Sequence, residues 1–375
     1  MIELTGTITA VSSLHIGTGK KSGTFSETLG YLPGRTIRGM VGYYLHSNER
    51  ELFDKIRISE DTDMSKTGVF FKDALPVYVD KNTLTEKPTV ASPVSLKWCK
   101  KCDNLMEYGI KECNNIVSGK KCLHEGKKVA GFVTKDSFIT GKLEKADVKK
   151  HIETKCPITR GGHTSPGSDF ELSPYHVESV SPKTKFSFRC IVEDEFADNM
   201  KRVLNEAGVF AGLGGYRSRG YGTVAFSEIR ESQVSDIIEK RASEISEISN
   251  LMMVANSPMI LMNQDNSIIG FGTEYGNIFN ECATKTLTFS GYEGKLQFNL
   301  DNNDQVKQLL NEGIARGWSI KNDNKVSEVK PCIGHGSCAE ITSNNHSALA
   351  ALEVYGVGEM TNSGYGDVYF TGGKI

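Results

Sequence analysis

The feature that most constrains this chain is a glycine-rich segment that occurs twice. Residues 212–224 read GLGGYRSRGYGTV and residues 356–368 read GVGEMTNSGYGDV, aligned without a gap. Gly212, Gly214, Gly220, Tyr221, Gly222 and Val224 recur as Gly356, Gly358, Gly364, Tyr365, Gly366 and Val368. Repetition at this level points to one supersecondary unit used twice. The flanks repeat with it. In FADNMKRVLNEAGVF (196–210), Phe196, Met200, Val203, Leu204 and Val209 fall near helical spacing, and SALAALEVY (347–355) reads as a short apolar helix. A strand follows each loop, over Thr223–Ile229 and Asp367–Thr371.

Strands also open each half. Glu3–Val11 alternates as a strand should, Leu251–Met262 (LMMVANSPMILM) opens the second half, and Lys295–Leu300 adds another strand. Between the halves, Glu231–Asn250 is polar, with Val234, Ile237, Ile238, Ile245 and Ile248 at helical spacing, and reads as a linking helix. The expected fold is therefore α+β: two domains, residues 1–230 and 231–375, each an antiparallel sheet with helices on one face. The first carries an insertion over about residues 76–175, loop-rich and ending in the Pro/Gly/Ser-rich stretch GGHTSPGSDFELSP. No apolar run approaches the roughly 20 residues that span a bilayer. The N-terminal MIELTGTITAV lacks a basic n-region and a long apolar core, so a cytoplasmic location is expected.

The charge is uneven. Residues 1–230 hold 34 Lys and Arg against 28 Asp and Glu, while residues 231–375 hold 10 against 18. A basic half suits a polyanion and an acidic half suits a protein partner; uneven surface composition is the plain alternative.

Cys99, Cys102, Cys113 and Cys122 follow a C-x2-C-x10-C-x8-C spacing. A C-x2-C knuckle supplies two thiolates from one tight turn, and two further cysteines complete a tetrahedron, so a structural zinc ion is expected. His124 is an alternative to Cys122, and reduced thiols in a loop are the alternative to metal. Residues 97–150 also hold 13 Lys against 7 acids, which suits phosphate contact or simple solvation. The pattern Cys332-x2-His335-x2-Cys338 has ligand-like types at a spacing too short to argue strongly for a second metal.

The first glycine-rich loop suits RNA. Gly212, Gly214 and Gly215 let backbone N–H groups approach an anion, and Tyr216, Arg217, Ser218, Arg219 and Gly220 follow, the arginines offering charge and planar stacking surfaces. Arg219–Phe226 nearly matches an RNA-recognition pattern, with Thr223 where an aromatic belongs. In the second copy Arg217 and Arg219 become Thr361 and Ser363, so that loop is expected to keep a fold role. Nearer the N-terminus, His15, Lys20, Lys21, Arg35 and Arg38 are further RNA candidates. Thr36 is placed to cap a helix starting at Ile37, whose positive end would favour phosphate.

The segments LHIGTG (14–19), YLPGRTIRGMVGYYL (31–45) and GLGGYRSRGYGTV (212–224) resemble the signatures of the RAMP superfamily of CRISPR-associated proteins. Arg35 stands where the family usually has Ser. The resemblance implies two tandem ferredoxin-like, RRM-like domains that bind RNA with these loops. Two such loops in one chain look most like the Cas-five-type subunits of type III effector complexes. Those hold the repeat-derived 5′ handle of the crRNA, and the cysteine-bearing insertion and the SPMIL segment look most like the type III-D Csx-ten member. Implied partners are the handle, a large Cas-ten-type subunit and Cas-seven-type backbone subunits.

Two enzymatic readings stand beside this non-catalytic one. Cas-seven-type subunits cleave target RNA with an Asp between the first glycine motif and the PG motif. Here Ser22–Gly30 offers Glu27 and no Asp. Cas-six-type endoribonucleases process precursor RNA with a general base, for which His15, His46, His163 and His176 are candidates.

Overall fold

The computed structural model describes the chain except residues 60–62, 107–111, 114–115, 118–119, 157–173, 263–274, 300–309, 316–317, 320–324, 327–329 and 373–375. His163, and all but Pro174 of the Pro/Gly/Ser-rich stretch, lie outside the described residues.

The first half alternates β1 (Ile2–Ala10), α1 (Gly34–Asn48), β2 (Val69–Phe71), β3 (Lys185–Val192), α2 (Ala197–Phe210) and β4 (Val224–Gln233). Their sheet runs β4-β1-β3-β2, every pair antiparallel. After the linking helix α3 (Val234–Ser246), the second half repeats the pattern with β5 (Leu251–Ala255), α4 (Tyr275–Ser290), β6 (Leu296–Asn299), β7 (Cys338–Ser343), α5 (His346–Tyr355) and β8 (Val368–Gly372). Its sheet runs β8-β5-β7-β6, again antiparallel throughout, so the repeat extends from one loop to the whole strand order.

Period and packing explain the elements. Along α2, Met200, Val203, Leu204 and Ala207 form one buried stripe that packs with α1 against Leu4, Ile8, Phe186 and Phe188 of the sheet. The α5 residues Ala348–Tyr355 are all buried, as an almost wholly apolar helix must be, between α3, α4 and its own sheet. Its one acid, Glu353, is held by Arg241 of α3 at 2.7 and 2.8 Å and by the Phe370 N–H at 2.6 Å.

Strand alternation joins the halves: Val69 and Phe71 enter the first core, while Phe70 between them enters the second. The insertion also bridges. Val90 packs with Met252, Val254 and Tyr369, and the Tyr369 hydroxyl donates to the Ala91 carbonyl at 2.7 Å.

Several boundaries differ from those expected. β4 runs to Gln233 because it pairs with β1 as far as Ile2. β5 stops at Ala255, and Pro258, which has no N–H for a ladder, begins a different structure described below. Among the described residues no helix is long and apolar enough to cross a membrane.

Candidate nucleic-acid interface

The two glycine-rich loops share one backbone path. Positive φ occurs at Gly212, Gly214, Tyr216, Gly220 and Gly222, and again at Gly356, Gly358, Met360, Gly364 and Gly366. Each has a 3-10 turn at its tip, Arg217–Arg219 and Thr361–Ser363. Each is also stitched to the segment after its domain's first strand. Gly215 N–H donates to the His15 carbonyl (2.8 Å) and Gly222 N–H to Ser13 (3.0 Å); Glu359 N–H donates to Ile260 (2.9 Å) and Gly366 N–H to Pro258 (2.8 Å). The SPMIL segment is therefore the second half's counterpart of Ser13–Ile16.

This stitching engages two of the three glycines expected to cradle an anion. Gly212 N–H donates to Ala207 at 3.0 Å and Gly215 N–H to His15, so both donors are engaged within the chain. Glycine is needed at 214 because a Cβ there would collide with the His15 carbonyl oxygen. The His15 ring is itself buried, with Nδ1 2.8 Å from the Glu178 carbonyl, and it packs edge-on against Tyr216 with ring centroids 5.0 Å apart.

What the first loop presents outward is its arginines. Arg217, Ser218, Arg219 and Gly220 are exposed. Arg217 donates to the Ala211 carbonyl (2.9 Å), and its guanidinium lies 5.4 Å from the Tyr43 ring centroid. The Arg219 guanidinium lies between Tyr216 (5.5 Å) and Tyr175 (5.8 Å) and donates to the Tyr175 hydroxyl. Lys20 and Lys21 fall in the strand Gly17–Ser22 of a separate four-stranded sheet that includes Lys150–Lys155 and Tyr175–Val180.

The second loop is buried, Thr361, Asn362 and Ser363 each being 1–2% exposed. It lies on the start of α1, where Gly34 approaches Gly364 so closely that a Cβ on Gly34 would sit 2.8 Å from the Gly364 Cα. Arg35 donates to the Tyr365 hydroxyl (2.6 Å), and Arg38 donates to Ser363 Oγ (2.6 Å) and twice to the Ile58 carbonyl (2.9 and 2.7 Å). Both guanidiniums are thus bound to protein, where the sequence suggested RNA. The helix begins at Gly34, not Ile37, and its first N–H is taken by Asp73 Oδ1 (2.7 Å). A carboxylate occupies the position where phosphate was expected, and Thr36 caps nothing. Beside it, Lys72 Nζ is buried 3.6 Å from Asp367, and burial pushes its pKa down to about 8. His335 Nε2 lies 3.5 Å from Asp73 Oδ2, and its ring packs edge-on against Tyr31.

In the insertion, the four predicted cysteines converge. The Cys99, Cys102, Cys113 and Cys122 Sγ atoms all lie within 4.8 Å of one another, with pairs at 3.6 Å (Cys99–Cys122) and 3.3 Å (Cys102–Cys113). Tetrahedral zinc with Zn–S bonds of about 2.3 Å needs S···S separations near 3.8 Å, so the donor set fits. Two tight turns deliver them, with Asp103 and Leu123 at positive φ directly after the second and fourth ligands. Backbone N–H groups of Cys102 and Lys101 lower the Cys99 thiol to about 6, favouring the thiolate a metal requires. His124 turns Nδ1 to the Cys122 carbonyl and stays outside this group, leaving Cys122 as the fourth donor. No disulfide links any of the described cysteines.

Residues 7–225, more than half of the chain, match the family model described as the RAMP superfamily. The chain belongs to the RAMP superfamily. Among solved structures, this RAMP protein is similar to a chain of the type III-B Cmr-beta bound to cognate target RNA, at 14% identity and a TM-score of 0.35, covering 62% of this chain and 61% of that one. It is also similar to a chain of Cmr-beta bound to cognate target RNA and AMPPnP, at 12% identity and a TM-score of 0.43, covering 91% and 86%. A search of curated proteins finds no match.

Sequence reasoning missed two tyrosines of this RAMP surface. Tyr43 is half exposed on α1 and falls off the buried stripe of Ile37, Met40, Val41, Tyr44 and Leu45, a signal readable from helical spacing. Tyr175, one position beyond the described end of the loop-rich stretch, gave no such signal.

Proposed function

We propose that this protein is a non-catalytic RNA-binding subunit of a type III CRISPR RNA-guided effector complex. Its first glycine-rich loop holds the 5′ repeat-derived handle of the crRNA, next to Cas-ten-type and Cas-seven-type subunits. The observation that carries the reading is the asymmetry of the loops: one copy presents Arg217 and Arg219 to solvent, the other is buried against α1. Exposed guanidiniums neutralise phosphate and stack on bases, whereas Thr361 and Ser363 do neither. The β4-β1-β3-β2 order and its repetition support two tandem ferredoxin-like domains. The four thiolates would hold one structural zinc ion, bracing the insertion and leaving no open coordination position.

The Cas-six-type alternative needs a histidine poised at a reacting 2′-OH. His15 is buried under Tyr216, which counts against it as that base, whereas His46 is exposed and His176 is half-buried with Nδ1 3.0 Å from Thr154 Oγ1. The test is fluorescence anisotropy of the full chain with labelled handle RNA over a salt series. Arg217→Ala with Arg219→Ala is expected to lower affinity about tenfold or more and to flatten the salt dependence by roughly two phosphate contacts. Thr361→Ala and Ser363→Ala should leave affinity unchanged. Equal losses at both loops would refute the assignment. Clean cleavage of repeat RNA, abolished by His15→Ala or His46→Ala, would replace it with the processing enzyme.

A further inference from the structure

We infer that the surface around the first loop is a base-stacking platform selective for unstacked, single-stranded RNA, with Tyr175 and Tyr43 as its outer steps. This rests on the reading that the first loop binds RNA, and it adds which part of the RNA is held. The rings and cations form a continuous row drawn from distant parts of the chain. Lys155 lies 5.3 Å from the Tyr221 centroid, Tyr221 packs 5.8 Å from Tyr216, and the Arg219 guanidinium lies between Tyr216 and Tyr175. Arg217 begins a second branch against Tyr43, which is 50% exposed.

The row is built, not incidental. The Tyr216 ring rests on the buried His15 ring, and the loop beneath it is fixed by the bonds from Gly215 and Gly222. The Tyr175 hydroxyl is engaged by Arg219, which orients that ring. Tyr221 is 6% exposed and closes the inner end, so growth of a stack proceeds outward. An aromatic or guanidinium plane accepts any base face, but a base inside a duplex has both faces occupied. Arg219 meets Tyr175 at its hydroxyl edge and not over the ring face, so its guanidinium adds attraction to the adjoining phosphate while the ring meets the base. Phosphate contact alone would need neither tyrosine.

The experiment measures binding of the full chain to three labelled probes: a single-stranded oligoadenylate, an abasic ribose-phosphate oligomer of equal length, and a blunt RNA duplex. Tyr175→Leu and Tyr43→Leu should each weaken oligoadenylate binding about five- to fiftyfold, leave the abasic oligomer unaffected and keep the salt slope. Tyr175→Phe, which keeps the ring and loses the hydroxyl, should retain most of the affinity. Wild-type affinity in both leucine variants, or an equal loss on the abasic oligomer, overturns the inference. The arginine pair separates the two claims. If Arg217→Ala with Arg219→Ala loses affinity for every probe while the leucine variants do not, RNA binding stands and the platform falls. If the arginine variant binds every probe as wild type does, the RNA reading falls with it.

Discussion

Replacing glycine by alanine at one equivalent position of the two loops, Gly220 or Gly364, isolates what the domain interface adds. Both residues have φ near +90°, 84° and 92°, so alanine pays the same left-handed cost of about 1–2 kcal/mol in each. At Gly220 an added Cβ meets nothing within 4 Å. At Gly364 it would lie 2.8 Å from the Gly34 Cα, 2.9 Å from the Gly34 nitrogen and 2.8 Å from Asp73 Oδ1. Two of those atoms are backbone at the start of α1, and the third caps it, so relief requires separating loop from helix. Separation stretches the charge-assisted bonds from Arg35 to Tyr365 and from Arg38 to Ser363, each worth roughly 1.5–3 kcal/mol. Gly364→Ala should therefore cost about 4–8 kcal/mol against about 1–2 for Gly220→Ala. Thermal unfolding followed by far-ultraviolet circular dichroism reads this directly. Gly220→Ala should lower the midpoint by a few degrees and Gly364→Ala by roughly ten, at about 2 °C per kcal/mol for a chain of this size. Gly34→Ala meets the Phe71 carbonyl at 2.5 Å as well as Gly364, so the Gly34→Ala, Gly364→Ala double variant should cost less than the sum of the two. Equal midpoint shifts at 220 and 364 would refute the reasoning, because conformational strain alone would then account for both.

Two other expectations follow from buried chemistry. Zinc should be present at about one ion per chain and be lost in Cys99→Ser with Cys102→Ser, as measured by elemental analysis; chelation should expose residues 97–130 to limited proteolysis, and full zinc occupancy in the double variant would overturn the assignment. Lys72 titrates at about 8 when folded against 10.5 ordinarily, so the unfolded state binds more protons between those values, and the cost of keeping Lys72 charged is relieved as pH rises from 8 to 10.5. The wild type should gain stability over that window relative to Lys72→Met, and parallel pH profiles would refute it.

The repeat, the convergence of four spaced cysteines and the helix–loop–strand order were legible because each is local and carried by residue types with narrow physical uses. Gly214 and Gly358 recur where a neighbouring carbonyl leaves no room for a Cβ. Strand order was not legible, since nothing local tells Lys185–Val192 that it lies between Ile2–Ala10 and Val69–Phe71. The partners of Arg35 and Arg38 were hidden for the same reason. Beside a Pro-Gly turn they look available for phosphate, but two of their acceptors, Tyr365 and Ser363, lie more than 300 residues away in sequence, and Arg38 also donates to the Ile58 carbonyl. Thr36 looked like a cap because the real one, Asp73, arrives from another segment.

The loss of charge in the second loop follows from this arrangement. In the first copy the position equivalent to Ser363 is Arg219, reaching outward between two tyrosines. A second guanidinium at 363 would sit against Arg38, which donates to the Ser363 hydroxyl, and burying like charges together is far costlier than burying one paired cation. At 361, 1% exposure leaves no path to solvent for an arginine. The cations have in effect changed sides, from the loop in the first domain to the helix that the loop meets in the second. Shared backbone geometry with opposite charge placement lets one motif face solvent in one domain and seal the interface in the other. Apart from the bond of Arg217 to the Ala211 carbonyl, the contacts that distinguish the arginines of 212–224 from their counterparts are to tyrosines on the same exposed surface.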